Sequence, residues 1–120
     1  MSSDASWHHG RLPDHSTLLI GRKPPDDIGF PSDRLQIWYN NTTEAWTDPA
    51  PHFHQDSDEV FIVLSGTLEV TVEGNTVTVG PREFCCFSVG VVHAVIAVFP
   101  PTETMMIRAP SINDKVLVPD

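Results

Sequence analysis

An all-β domain is what this sequence predicts, on three observations. Short apolar runs recur between breakers, with 11 prolines and 7 glycines spread over 120 residues. Several of those runs alternate apolar and polar residues with a period of two, and none shows convincing helical periodicity. The stretch TLEVTVEGNTVTVG (67–80) reads as a β-hairpin closed by a two-residue turn.

Taken in order, residues 1–15 are polar and breaker-rich and read as a flexible N-terminal arm, followed by one β domain over 16–120. His8 and His9 lie in that arm, where adjacent side chains on an extended chain face opposite ways and make a poor chelate. STLLIG (16–21) gives a first strand, and Lys23-Pro24-Pro25-Asp26-Asp27 a proline-rich turn. In LQIWYN (35–40), Leu35, Ile37 and Tyr39 share one face, and Gln36, Trp38 and Asn40 the other. NTTEAWTDPAP (41–51) reads as a loop. VFIVLS (60–65) is apolar on both faces, so each side needs cover. Gly66 is expected to turn the chain into the hairpin, where Leu68, Val70 and Val72 face inward and Gly74-Asn75 forms the turn. FCCFS (84–88), AVIAVF (94–99), MMIRA (105–109) and KVLV (115–118) complete a set of about nine strands. The runs VFIVL, FCCF and AVIAVF carry more apolar surface than one small barrel encloses. A homodimer that hides the outer face of one sheet is therefore expected.

Composition narrows the function. Sixteen acids against seven Lys and Arg give a formal charge of −9, which repels nucleic acid and anionic membrane surfaces alike. The N-terminal sequence lacks the apolar core of a signal peptide, and no apolar run approaches the ~20 residues of a membrane span. Cys85 and Cys86 are neighbours whose side chains would point to opposite faces of a strand, so no disulfide between them is expected. These features predict a reduced, cytoplasmic protein.

The chemistry is concentrated in PHFHQDSDEVFIVLSG (51–66). His52 and His54 are two apart on an extended segment and so point to one face. Glu59 follows across QDSD, at the start of the most apolar run. Burying imidazoles and a carboxylate beside such a run costs roughly 2–7 kcal/mol for each neutral polar group without a partner, and more for a charge. His93 has the same setting, between a glycine turn and an apolar strand in FSVGVVHAVIAV. Two imidazole-bearing strands and one carboxylate can thus meet in an interior, where a cation would partner all of them. QDSDEVF lacks the glycine of an EF-hand loop. Neither a Walker-type loop, a GxGxxG nor a GxSxG elbow is present.

At these residues the sequence resembles the cupin superfamily. His52-x-His54, four residues, Glu59, six residues, Gly66 matches the first cupin motif at every spacing. Ser88-Val89-Gly90-Val91-Val92-His93 is similar to the second motif, Pro-x-Gly-x-x-His, with serine in place of proline. Arg82-Glu83 stands where Gly-Asp is usual, Trp46 where glycine is usual upstream of the histidines, and Ala97 where asparagine follows the last histidine. Those positions shape turns and do not bind metal.

The resemblance implies a double-stranded β-helix (jelly-roll barrel) over 16–120. It also implies that His52, His54, Glu59 and His93 ligate one metal ion inside the barrel. Imidazole and carboxylate donors suit a divalent transition metal (Fe, Mn, Ni or Zn), and Glu59 is also the candidate catalytic carboxylate. In that arrangement Gln36, Trp38, Phe53 and Phe61 are candidate linings of a pocket for a small organic substrate. An Fe(II) dioxygenase is the leading functional expectation. The alternatives are a redox-neutral metal-dependent isomerase, cyclase or decarboxylase, and a non-catalytic module that binds a sugar or another small ligand.

Overall fold

The computed structural model describes residues 7–22, 29–47 and 50–119. The turn expected at Lys23–Asp27 lies outside them, as do the first six residues of the expected N-terminal arm. Nine strands are found among the described residues and no helix: β1 (Thr17–Gly21), β2 (Phe30–Pro31), β3 (Gln36–Thr42), β4 (His52–His54), β5 (Asp58–Val72), β6 (Asn75–Val79), β7 (Phe84–Phe87), β8 (His93–Ala109) and β9 (Lys115–Leu117).

Two long strands organise everything else. β5 and β8 run antiparallel to each other along almost their whole length, from Asp58↔Ala109 to Val72↔His93. Their ladder shifts register around Ser65, between Val63↔Thr104 and Thr67↔Phe99, and there both strands pass from one sheet into the other. The first sheet runs β2-β1-β3-β8-β5-β7, using the second half of β8 and the first half of β5. The second runs β9-β4-β8-β5-β6, using the other halves. The ladder does not close on itself, so the predicted double-stranded β-helix takes the form of a sandwich open at its edges. Between the sheets Val63, Leu68, Val70, Val79, Phe87 and Val98 form the buried apolar core.

The passage between sheets corrects two expectations. Gly66 does not turn the chain back; VFIVLS and TLEVTV are one continuous strand. Glycine is required there because its φ is +80° and because a Cβ would collide with Thr102 Oγ1 and the Pro101 carbonyl and lie 2.7 Å from Thr102 Cα. AVIAVF and MMIRA are likewise one strand. Pro100 and Pro101 sit opposite Gly66 in the register shift, where the ladder demands no N–H from them. The hairpin turn also moves by one residue. Val72 pairs with Asn75, so Glu73 and Gly74 make the turn, both with positive φ (51° and 81°), as a type I′ connection requires. Arg82, at the place where the family pattern has glycine, is itself left-handed at φ 68°.

The segment before β1 is largely exposed and strand-free over residues 7–16. It is tied to the outer end of β3, where Asn41 donates from Nδ2 to the Asp14 carbonyl and from its backbone to Ser16 Oγ. Among the described residues no helix is long and apolar enough to cross a membrane.

Candidate metal centre

Each sheet brings one cross-strand pair to a common point. On the second sheet His52 of β4 lies directly opposite His93 of β8; on the first, Glu59 of β5 lies opposite Arg108 of β8. His54, two residues along β4 from His52, completes the group. One ligand atom from each of His52, His54, Glu59 and His93 lies within 4.8 Å of the others. His54, Glu59 and His93 are buried, and His52 is partly so. Gly90 joins the two motif stretches by donating its N–H to the His54 carbonyl at 3.0 Å.

The imidazoles are oriented from behind. Nδ1 of His52 faces the Ala50 carbonyl at 3.2 Å, and Nδ1 of His93 the Val91 carbonyl at 3.0 Å. His54 Nδ1 meets Asp114 Oδ1 at 3.0 Å. Asp114 is anchored through Oδ2 by the Asp56 N–H at 2.9 Å and the Ser57 hydroxyl at 2.7 Å. With every Nδ1 engaged by an acceptor, the three Nε2 atoms are the ones left to face the common point. Phe87 stacks on His93 at 3.9 Å and 7° and fixes that ring.

Charge is balanced inside the group. Glu59 Oε1 lies 2.9 Å from His93 Nε2. Arg108 donates from Nε and Nη2 to Glu59 Oε2, at 3.1 and 2.7 Å. Burial alone would raise the Glu59 carboxyl, but the bonds from His93 and Arg108 and the arginine charge outweigh it and bring the pKa down to about 2. Burial also works to raise Asp114, and bonds from the Asp56 N–H, Ser57 and His54 hold it below the ordinary carboxylate range. His52 is shifted down, chiefly by burial.

These groups fit a first-row divalent ion. His54 Nε2 is buried and makes no hydrogen bond, although Glu59 Oε2 lies 3.3 Å away. An orphaned inward nitrogen, beside two more and an ionised carboxylate, is the donor set such ions take. Backing of a ligand histidine by a carboxylate, as Asp114 backs His54, is the usual arrangement behind metal-bound imidazole.

A cavity of about 310 Å³ opens between the sheets at this point, its wall including Trp38, Trp46, His52, Glu59, Phe61 and Arg108. Trp38 and Phe61 are thus brought together with the ligand group. Gln36 and Phe53 are not on that wall. Gln36 Oε1 accepts from Ser111 Oγ at 3.1 Å, and Phe53, alternating with its histidine neighbours, points to the other face of β4. Sequence reasoning missed Arg108 and Asp114. Strand register brings Arg108 to Glu59, 49 residues away, and the loop before β9 brings Asp114 to His54, 60 residues away. A larger cavity, about 460 Å³, lies between residues 8–15 and β1, away from any convergent ligand group among the described residues.

A jelly-roll sandwich in which three histidines and one glutamate converge beside a cavity, with His52 and Glu59 on its wall, defines a cupin. The family model for the cupin domain matches residues 42–107, and the chain belongs to that family. No curated protein matches the sequence. Solved structures that share the fold include a variant of Streptomyces PAC13 with uridine, at TM-score 0.65 and 12% identity over 94% of this chain and 92% of that one. Pac13 is described as a nucleoside dehydratase. KdgF from Halomonas sp. follows at TM-score 0.61 and 17% identity, covering 82% and 80%. A cupin-2 domain protein from Shewanella frigidimarina reaches 0.52 and 23%, covering 82% and 84%. At these identities the likeness is one of fold.

Proposed function

We propose that this protein is a metal-dependent enzyme that transforms a small organic molecule in the cavity between its sheets, with Fe(II)-dependent dioxygenation as the reaction. The observation that carries the proposal is the convergence of three backed imidazoles and one ionised carboxylate on a point open to a cavity. A first-row divalent ion held there supplies a Lewis-acid centre with positions left for substrate. The chain's own residues do the rest. Asp114 and the Ala50 and Val91 carbonyls fix the imidazoles, Glu59 contributes the one anionic ligand, and Trp38 and Phe61 flank the space where substrate sits.

In the redox-neutral alternatives, enolisation by an isomerase, cyclase or decarboxylase, Glu59 doubles as ligand and proton acceptor. Elemental analysis of protein purified without a histidine tag should find one transition metal per chain, and metal-dependent oxygen uptake with a substrate should vanish in His54→Ala. Turnover under strict anaerobiosis with zinc or nickel would replace dioxygenation by Lewis-acid chemistry. Ligand-induced thermal stabilisation that is equal with and without metal, and no turnover at all, would make the protein a binding module.

The protein acts as a homodimer in a reducing compartment. The outward face of the first sheet carries two cross-strand rows of uncharged side chains, Ile37-Ile107-Val60-Cys86 and Met105-Ile62-Phe84, and Phe84 is 68% exposed, whereas Tyr39 beyond Met105 is already buried. A second copy packed isologously on this face covers both rows. Cys85 and Cys86 are free thiols. Light scattering should give twice the chain mass, and Ile62→Asp should give a folded monomer.

A further inference from the structure

The guanidinium of Arg108 has more donors than Glu59 uses. Nε and Nη2 both converge on one oxygen, Glu59 Oε2, and no hydrogen bond engages Nη1 among the described residues. A guanidinium carries five N–H donors in a rigid plane, so the unused edge remains for something else. Arg108 is partly buried, with 17% of its side chain exposed, and it stands on the cavity wall beside the ligand group.

Among the described residues the acid on that wall is Glu59, whose carboxylate is already held by His93 and Arg108. The cavity thus offers a further anion the unused guanidinium edge without breaking that pair. Its remaining wall is largely apolar, with Trp38, Phe61, Leu68, Val98 and Met106.

We propose that Arg108 is the specificity residue of this cavity and that the substrate class is a small organic carboxylate with an apolar or aromatic body. This rests on the reading of the cavity as the substrate site. The planar edge of a guanidinium matches a carboxylate in two parallel bonds. A dianionic phosphate would need more donors, and no helix N-terminus is present among the described residues to supply them. At about 310 Å³ the cavity is at the lower end of the range for ligand sites, which restricts the body to about one ring.

The test is calorimetric titration of phenylacetate and of its neutral isostere phenylacetamide into metal-stripped and metal-loaded protein. In metal-stripped wild type, phenylacetate should bind about tenfold more tightly than the amide, the loss expected for one charge-assisted pair. Arg108→Gln should erase that preference, and Arg108→Lys should restore only part of it. Trp38→Ala should weaken acid and amide equally. Equal affinity for the two in wild type, binding of neither at millimolar concentration, or a preference that survives Arg108→Gln overturns the assignment. So does a preference seen only in metal-loaded protein, which would place the carboxylate on the ion. Should the protein take up no metal and yet prefer the acid in its wild-type form alone, the enzyme reading fails and this one stands. The acid-to-amide ratio is read in wild type, so a variant that folds poorly does not disturb it.

Discussion

The site rests on two rungs of the β5–β8–β4 ladder, and they differ in kind. The His52–His93 rung on the second sheet joins two imidazoles whose centroids are 4.4 Å apart, each satisfied behind by a backbone carbonyl. The Glu59–Arg108 rung on the first sheet is a buried ion pair. Removing a member of the first takes away a ligand and leaves no charge stranded. Removing Glu59 leaves a guanidinium in the interior with nothing to neutralise it. Both rungs therefore supply metal ligands, but the stability of the metal-free fold leans on the ion pair.

The sharpest way to break this contrast is Glu59→Ala in metal-stripped protein. It should cost about 3–5 kcal/mol in urea unfolding, the range for orphaning one half of a buried pair. The same rung has a pH signature. Glu59 is lowered from 4.5 to about 2, so its stabilisation is complete above pH 4.5 and is lost as pH falls through 2. Glu59→Gln should flatten that acid limb. Next comes Asp114→Asn, which should lower metal affinity about 10–100-fold by competitive chelator titration while the melting temperature of metal-free protein changes little. His52→Ala should abolish one-to-one metal loading yet change metal-free stability by only about 1 kcal/mol, as is typical of a half-buried side chain. A loss as large as that of Glu59→Ala would mean that the two rungs are equivalent. The smallest effect belongs to a buried residue away from both rungs. Tyr39 donates to Glu103 at 2.6 Å, and this bond, with burial, raises its pKa to about 12. Its contribution holds below pH 10 and fades between 10 and 12, so Tyr39→Phe should show a shallower alkaline decline.

The two rungs also differ in how far the sequence exposes them. His52, His54, Glu59 and His93 carry spacings that are local to a strand and its approach, and alternation alone puts Trp38 and Phe61 on a common interior. The same alternation turns Phe53 away once its neighbours point inward. Arg108 and Asp114 have no local pattern. Arg108 stands one residue past the family match at 42–107, and its role exists only because β8 pairs with β5 in one register. Breakers misled in a different way. Glycine and proline mark chain reversals, but they also permit close backbone approach inside a strand. Gly66 and Pro100 do the second, and that is why four expected strands became two.

β4 is only three residues long and is held in place by β9 through His52↔Leu117, Phe53↔Val116 and His54↔Lys115. The angle of His52 and His54 is therefore set from both sides of β4, by β8 at one edge and by the late-arriving β9 at the other.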